Sequence, residues 1–329
     1  MSAAPLTRTR LIGLLALLLV LALALLTASL CLGSTAYRPW QLWQNTPDAL
    51  LARDVVLQLR LPRSLAALAV GGLLAVAGLA QQILLRNPLA EPYVLGTSGG
   101  ASVGALTALL LSGGTALVSL SAGLGALLST LLVFGLARHD HSSQQARLLL
   151  TGIAVTSFTG ALSSLLLAIA PEGLLRGMVF WMLGDLSGAD WHLPLFSLVL
   201  LAVLLWPFAR ELNLLSHGQQ AAHALGGRTR LLQWLLYFSS AAATAVAVTT
   251  AGMIGFIGLI VPHALRLLLG QDVRLLLPAA ALGGGCLLLA ADLVGRTLIA
   301  PQQLPVGVVT ALAGVPVFLW LLQQRGVRR

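Results

Sequence analysis

Apolar residues along this chain do not alternate with polar ones, nor do they recur every three or four positions on one face. They come in solid blocks of about 20 residues, the length of helix that crosses a hydrocarbon core of ~30 Å. Ten such blocks stand out: 11–32, 64–85, 94–112, 115–137, 148–170, 193–209, 231–250, 253–269, 275–298 and 304–322. The first is longer than the apolar core of ~7–15 residues found in a secretory signal, so the pattern predicts an anchor there. The expected fold class is an all-α polytopic membrane protein of about ten transmembrane helices, forming one domain over 1–329.

Three longer polar stretches separate the blocks. Residues 33–63 hold tryptophans and arginines, and 171–192 (PEGLLRGMVFWMLGDLSGADWH) read as a short amphipathic helix on a membrane surface. The third stretch, 210–230, contains QQAAHAL followed by Gly226 and Gly227. That pattern predicts a short helix with a glycine stop. A helix so short is unstable alone in water and calls for a docking surface.

Two of the blocks are broken by small residues. Residues 95–104 read LGTSGGASVG, and 252–270 read GMIGFIGLIVPHALRLLLG. Close packing of neighbouring helices explains single glycine pairs. Clusters of glycine and proline also mark interrupted spans, which line pathways where freed backbone groups meet protein or water. Pro262 is expected to end or kink its span, with His263 and Arg266 near the membrane edge.

Composition sharpens this picture. The chain is 58% hydrophobic and only 9% charged, against about a quarter charged in soluble domains. All 19 basic residues are arginine. Without lysine there is no G-x-x-x-x-G-K-[ST] phosphate loop, so any ATP is bound by another polypeptide. With the N-terminus inside, six arginines fall outside (Arg38, Arg53, Arg60, Arg63, Arg176, Arg296) and the other thirteen inside. The positive-inside rule then places both termini in the cytoplasm. It makes 33–63 and 171–192 periplasmic and 210–230 cytoplasmic. The arginines sit in short loops, so the basic balance points to no nucleic acid.

Little reactive chemistry is visible. Cys31 and Cys286 lie in apolar blocks and read as small buried hydrophobes. His139, His141, His192, His217, His223 and His263 form no H-E-x-x-H or similar ligand set, so no metal site and no cofactor are expected. No Ser-His-Asp set or acid pair points to catalysis. Asp292 and Arg296 stand four apart near the end of a block and can pair on one helix face. Intramembrane ionisable groups are otherwise scarce, which disfavours a proton-coupled carrier.

Several motifs converge in order: RLPR (60–63), NPLAEPYVLGTSGG (87–100), AHALG (222–226), GMIGFIGLIVPHALRL (252–267), LLPAAALGG (276–284), ADLVGR (291–296) and QLPVGVVTALAGVPVFLWLL (303–322). Together, from about residue 55 to 322, they resemble the FecCD-type permease family of binding-protein-dependent ABC importers. The resemblance implies ten helices per subunit, a second permease subunit (a homodimer), two cytoplasmic ATPase subunits, a periplasmic substrate-binding protein, and residence in the inner membrane among lipid. It implies that Arg60, Arg63 and Arg296 dock acidic residues of the binding protein. Gln219, Ala222, His223, Leu225 and Gly226 would meet the ATPase. Asn87, Leu89, Gly96, Ser98, Gly99, Gly255 and Gly258 would line the pathway or gate. The cargo so implied is a metal chelate, first a ferric siderophore, then cobalamin, then haem, with an ion-coupled secondary transporter as the remaining alternative. Two departures stand out. The chain has Gln303 where the family usually has glutamate before Leu-Pro, and Ser216-His217-Gly218 where it often has Leu-Gly-Asp.

Overall fold

The computed structural model describes residues 8–33, 44, 46–137, 144–216 and 218–326. Trp40, Trp43, His139, His141 and His217 lie outside the described residues. Among the described residues, fourteen α-helices run in order: α1 Arg8–Cys31, α2 Pro47–Asp54, α3 Leu61–Leu84, α4 Thr97–Leu110, α5 Thr115–Ala137, α6 Gln144–Ala168, α7 Glu172–Met182, α8 His192–Leu205, α9 Ala209–Ser216, α10 Gln219–Ala224, α11 Thr229–Ala251, α12 Ile257–Leu269, α13 Val273–Thr297 and α14 Val306–Gly326. No strand occurs among the described residues. Seven helical stretches are long and apolar enough to cross a membrane, and three shorter apolar helices accompany them: Thr97–Leu110, Ile257–Leu269 and Val306–Leu321. The chain is a multi-pass helical membrane protein.

The second apolar block begins well before residue 64. Thr46 caps α2 by accepting the Ala49 amide at 3.3 Å, with Pro47 at the first helical position. Helix then continues through a wide turn at 55–60 into α3 without a break. The expected loop 33–63 is therefore helical from Pro47 onward. Asp48, Arg53, Asp54, Gln58, Arg60 and Arg63 interrupt the apolar run and hide the helix from a hydropathy reading.

Helix α3 is the hub. It is apolar on all sides and buried along nearly its whole length, as expected of a core helix. Around it pack α13, α11, α12 and α8. Small residues set these contacts. A Cβ on Gly71 would strike the Gly284 carbonyl of α13, and one on Gly285 would come within 2.7 Å of Leu68 O. A second layer joins α4 to α5 through Gly100 against Gly125 and Gly104 against Ser121. Ala101, Ala105, Ala122, Ala126 and Val248 form its apolar core.

Pro262 does not end its helix. α12 runs through it to Leu269. Proline leaves the carbonyl four residues earlier without a helical partner. Here Gln82 Nε2 of α3 faces that carbonyl, Gly258 O, at 3.4 Å and Leu259 O at 3.2 Å. His263 is fully buried within the bundle, and Arg266 is half-buried. The 171–192 stretch is helical only as α7. Residues 183–191 turn back across the bundle, with Asp185 N bonded to Ala251 O at 2.9 Å.

Candidate transport and docking sites

The ends of the bundle carry different chemistry. At one end, α1, α3 and α13 meet around a buried carboxylate. Asp292 has a fully buried side chain and lies between two guanidinium groups. Arg63 donates Nε to Asp292 Oδ1 at 2.9 Å and holds Nη2 at 2.8 Å from the same oxygen. Arg296 Nε lies 2.9 Å from Asp292 Oδ2, an ion-pair contact poorly aligned for a hydrogen bond. Arg296 also donates to Ser29 Oγ of α1, which pairs with Ser64 Oγ of α3 at 2.6 Å. Arg60 donates to Leu30 O at 2.9 Å. Arg63 Nη1 reaches Ser187 Oγ at 3.0 Å and Gln303 Oε1 at 2.8 Å. These arginines rim a cavity of ≈550 Å³ whose lining includes Gln58, Ser187 and Gln303.

All three arginines expected to dock a partner thus meet in one place. Arg60 and Arg296 are each only 6% exposed and tie α1 to α3 and α13. Arg63 is the most accessible of the three to the cavity, with its side chain 12% exposed. Three guanidinium groups around one carboxylate leave a positive surplus. That surplus suits a carboxylate ligand.

A polar layer crosses the bundle interior nearer the other end. After α3, residues 87–96 fold back into the protein. Asn87 Oδ1 accepts the Leu89 amide at 2.9 Å, and Leu89 is 39% exposed. Gly96 takes a left-handed φ of 77° to start α4, and Ser129 Oγ donates to its carbonyl at 2.7 Å. Ser98 and Gly99 are buried where α4 meets α5 and α6. A Cβ on Gly99 would strike Thr159, while Ser102 and Ser163 pair across the same contact at 3.0 Å. Gly258 is packed against Gly78 and Pro92, and Gly255 stands half-exposed beside Glu91. Among the residues expected to line a path, Asn87, Leu89 and Gly255 reach the surface of this chain, and Gly96, Ser98, Gly99 and Gly258 are packing contacts within it.

The 210–230 stretch holds two helices, α9 and α10. α10 ends as its glycines suggest. Gly226 has φ 79°, and Gly226 N and Gly227 N bond back to His223 O and Ala222 O. Ala222 is fully buried and Gln219 half-buried, while His223, Leu225 and Gly226 are exposed. Leu225, 69% exposed, is an apolar tip at a polar end of the bundle.

Sequence reasoning passed over one face altogether. On α6, Thr156, Ser157, Gly160, Ala161 and Ser164 are all exposed, at spacings that share one helix side. Small and hydroxyl residues on a membrane helix belong against a partner helix or a wet path. The signal was present in the residue spacing of the 148–170 block. Among the described residues, no group of three or more His, Cys, Asp or Glu could hold a metal ion.

A multi-pass bundle with an interrupted span, a broken backbone stitched by side chains and unfilled faces at both ends defines a membrane transport protein. The chain belongs to the FecCD transport family, whose profile matches residues 18–324. It is similar to the hemin transport system permease protein HmuU of Yersinia pestis, 43% identical over 328 residues, covering 97% of this chain and 96% of the relative. It is also similar to the vitamin B12 import system permease protein BtuC of Escherichia coli, 42% identical over 312 residues, covering 93% of this chain and 94% of the relative. Among solved structures, a metal-chelate type ABC transporter in an inward-facing conformation superposes with a TM-score of 0.84 at 32% identity, covering 95% of this chain and 99% of that one.

Proposed function

We propose that the chain is the permease subunit of an ATP-driven importer that moves a metal chelate of the haem or cobalamin kind into the cytoplasm. The observation that carries this is near full-length similarity, at 42–43% identity, to permeases named for hemin and vitamin B12. A ferric siderophore, the first expectation from the sequence, ranks behind these two on the same ground.

The geometry and the charge pattern support the rest of this reading. The seven long and three short apolar helices make ten crossings, and the arginine asymmetry puts both termini and α9–α10 on the cytoplasmic side of an inner membrane. Arg60, Arg63 and Arg296 then face the periplasm and receive a carboxylate of the binding protein. Gln219, Ala222, His223, Leu225 and Gly226 seat an ATPase subunit, whose groove supplies the stability that a six-residue helix lacks. The hydroxyl-bearing face of α6 is covered by a second copy of this chain, with the path between them, and Asn87 and Leu89 close its inner end. Hydrolysis belongs to the separate ATPase.

The test is ATPase activity of the purified permease–ATPase complex in lipid, with the binding protein loaded in turn with haemin, cyanocobalamin and a ferric siderophore. Stimulation by one loaded form above the empty protein identifies the cargo. Uptake that proceeds without any ATPase and stops with an ionophore overturns the importer reading.

A further inference from the structure

Glu91 and Tyr93 sit inside the bundle, beside the segment that joins α11 to α12. The chain between α11 and α12 is unwound, and unwound backbone at membrane depth must find partners. It finds them in these two side chains. Glu91 Oε1 accepts the Phe256 amide at 2.8 Å. Tyr93 Oη accepts the Ile254 amide at 2.9 Å and donates to Ile254 O at 3.0 Å. Phe256, the N-cap residue just before α12, has a left-handed φ of 70° and makes no side-chain cap. Glu91 satisfies the Phe256 amide from 165 residues away. Gln82 adds a third stitch, with Nε2 facing Ala90 O as well as Gly258 O and Leu259 O.

The opposite end of α12 is stitched too. Asn213 of α9 donates Nδ2 to Asp272 Oδ1 at 2.8 Å and accepts the Val273 amide on Oδ1 at 2.7 Å. Asp272 and Val273 form the turn that leaves α12 and starts α13. Asn213 lies six residues before Gln219, the start of α10. A physically connected route therefore runs from α9, through the 270–272 turn and the body of α12, to the 87–96 segment.

We infer that α12 is a transmission rod, clipped to the α9–α10 loop by Asn213 and to the 87–96 segment by Glu91 and Tyr93, so that displacement of the loop moves Asn87 and Leu89. The inference rests on the importer reading for what pushes on the loop. Glu91 acts here as a hydrogen-bond acceptor through Oε1. The three side chains are positioning residues. Removing one slackens the link without touching cargo or nucleotide.

The experiment is the ATP hydrolysed per molecule of haemin or cyanocobalamin moved, measured on the complete complex in proteoliposomes. Tyr93→Phe, Glu91→Ala and Asn213→Ala each raise that ratio by about threefold to thirtyfold, the range expected for a weakened coupling element, while hydrolysis continues. Glu91→Gln keeps an acceptor oxygen and keeps the wild-type ratio. An unchanged ratio in both Tyr93→Phe and Asn213→Ala overturns the inference. A second measurement uses the permease alone. Amide exchange at 254–256 speeds up in Tyr93→Phe if the clip holds that segment, and unaltered exchange sinks the clip. If the unsubstituted chain drives no ATP-dependent transport, the importer reading fails instead, and the exchange result still decides the clip.

Discussion

Gly78 and Gly258 stand against each other in the centre of the bundle with no room for a methyl group. A Cβ on Gly78 would collide with the Gly258 carbonyl, and a Cβ on Gly258 would come within 2.5 Å of Pro92 and 2.7 Å of Leu74 O. Three segments (α3, α12 and the 87–96 stretch) therefore converge at one point where only hydrogen fits. Backbone and a proline ring lie on the far side of these contacts, so neighbours cannot yield by turning a rotamer.

Gly258→Ala is accordingly expected to be severe. Overpacking typically costs about 1–3 kcal/mol, and immovable backbone puts this site at the upper end. The thermal midpoint of the purified chain falls and transport is lost. Gly114→Ala, where nothing lies within 4 Å of the added methyl, leaves the midpoint in place.

Asp292 predicts a graded series. Asp292→Ala leaves the guanidinium groups of Arg63 and Arg296 without their carboxylate. Breaking a buried pair from one side costs roughly 3–5 kcal/mol. Asp292→Asn keeps the shape and an acceptor oxygen and is milder. Melting in detergent ranks wild type above Asn above Ala, and equal melting of all three removes the carboxylate's structural role.

Gln303→Glu tests docking without removing any partner of Arg63. A second carboxylate beside Arg63 lowers the positive surplus of the cavity. Association with an acidic binding protein slows, and its dependence on ionic strength becomes shallower. The melting temperature holds. Association kinetics at low and high salt provide the measurement.

Leu225→Asp tests the other end. An exposed leucine at a polar tip gains its value only by burial in a partner, and central apolar anchors are worth about 2 kcal/mol or more. Co-purification of the ATPase with the permease drops by roughly tenfold or more at limiting concentration. The isolated permease melts as before.

Gly160→Trp tests the α6 face. The indole adds bulk at an exposed position of this chain, where nothing lies within 4 Å of a Cβ. The monomer folds normally. Chemical cross-linking and mass in nanodiscs then report loss of the paired permease, because a small-residue interface admits no large side chain.

Much of this architecture was legible because apolar blocks of membrane length are hard to mistake. Each of the ten blocks contains a helix, and the glycine stop after α10 falls at Gly226. The failures share one cause: a partner distant in sequence changed the meaning of a residue. Arg60 and Arg63 read as loop residues because nothing nearby showed that Leu30 and Asp292 would take their charge. Pro262 left a helix end and a kink both open because Gln82, which faces the carbonyl it frees, lies 180 residues earlier in the chain. Glu91 and Tyr93 read as part of a motif, and their partners at 254–256 appear only in three dimensions.

The short helices carry a consequence for the membrane itself. At 1.5 Å per residue, α4 and α12 are each about 20 Å long, some 10 Å less than a hydrocarbon core. Where they stand, the protein sets the thickness of the insulating layer and the lipid does not. Transport should therefore respond weakly to acyl-chain length, as the critical distance is written into the glycines and stitched turns of the chain.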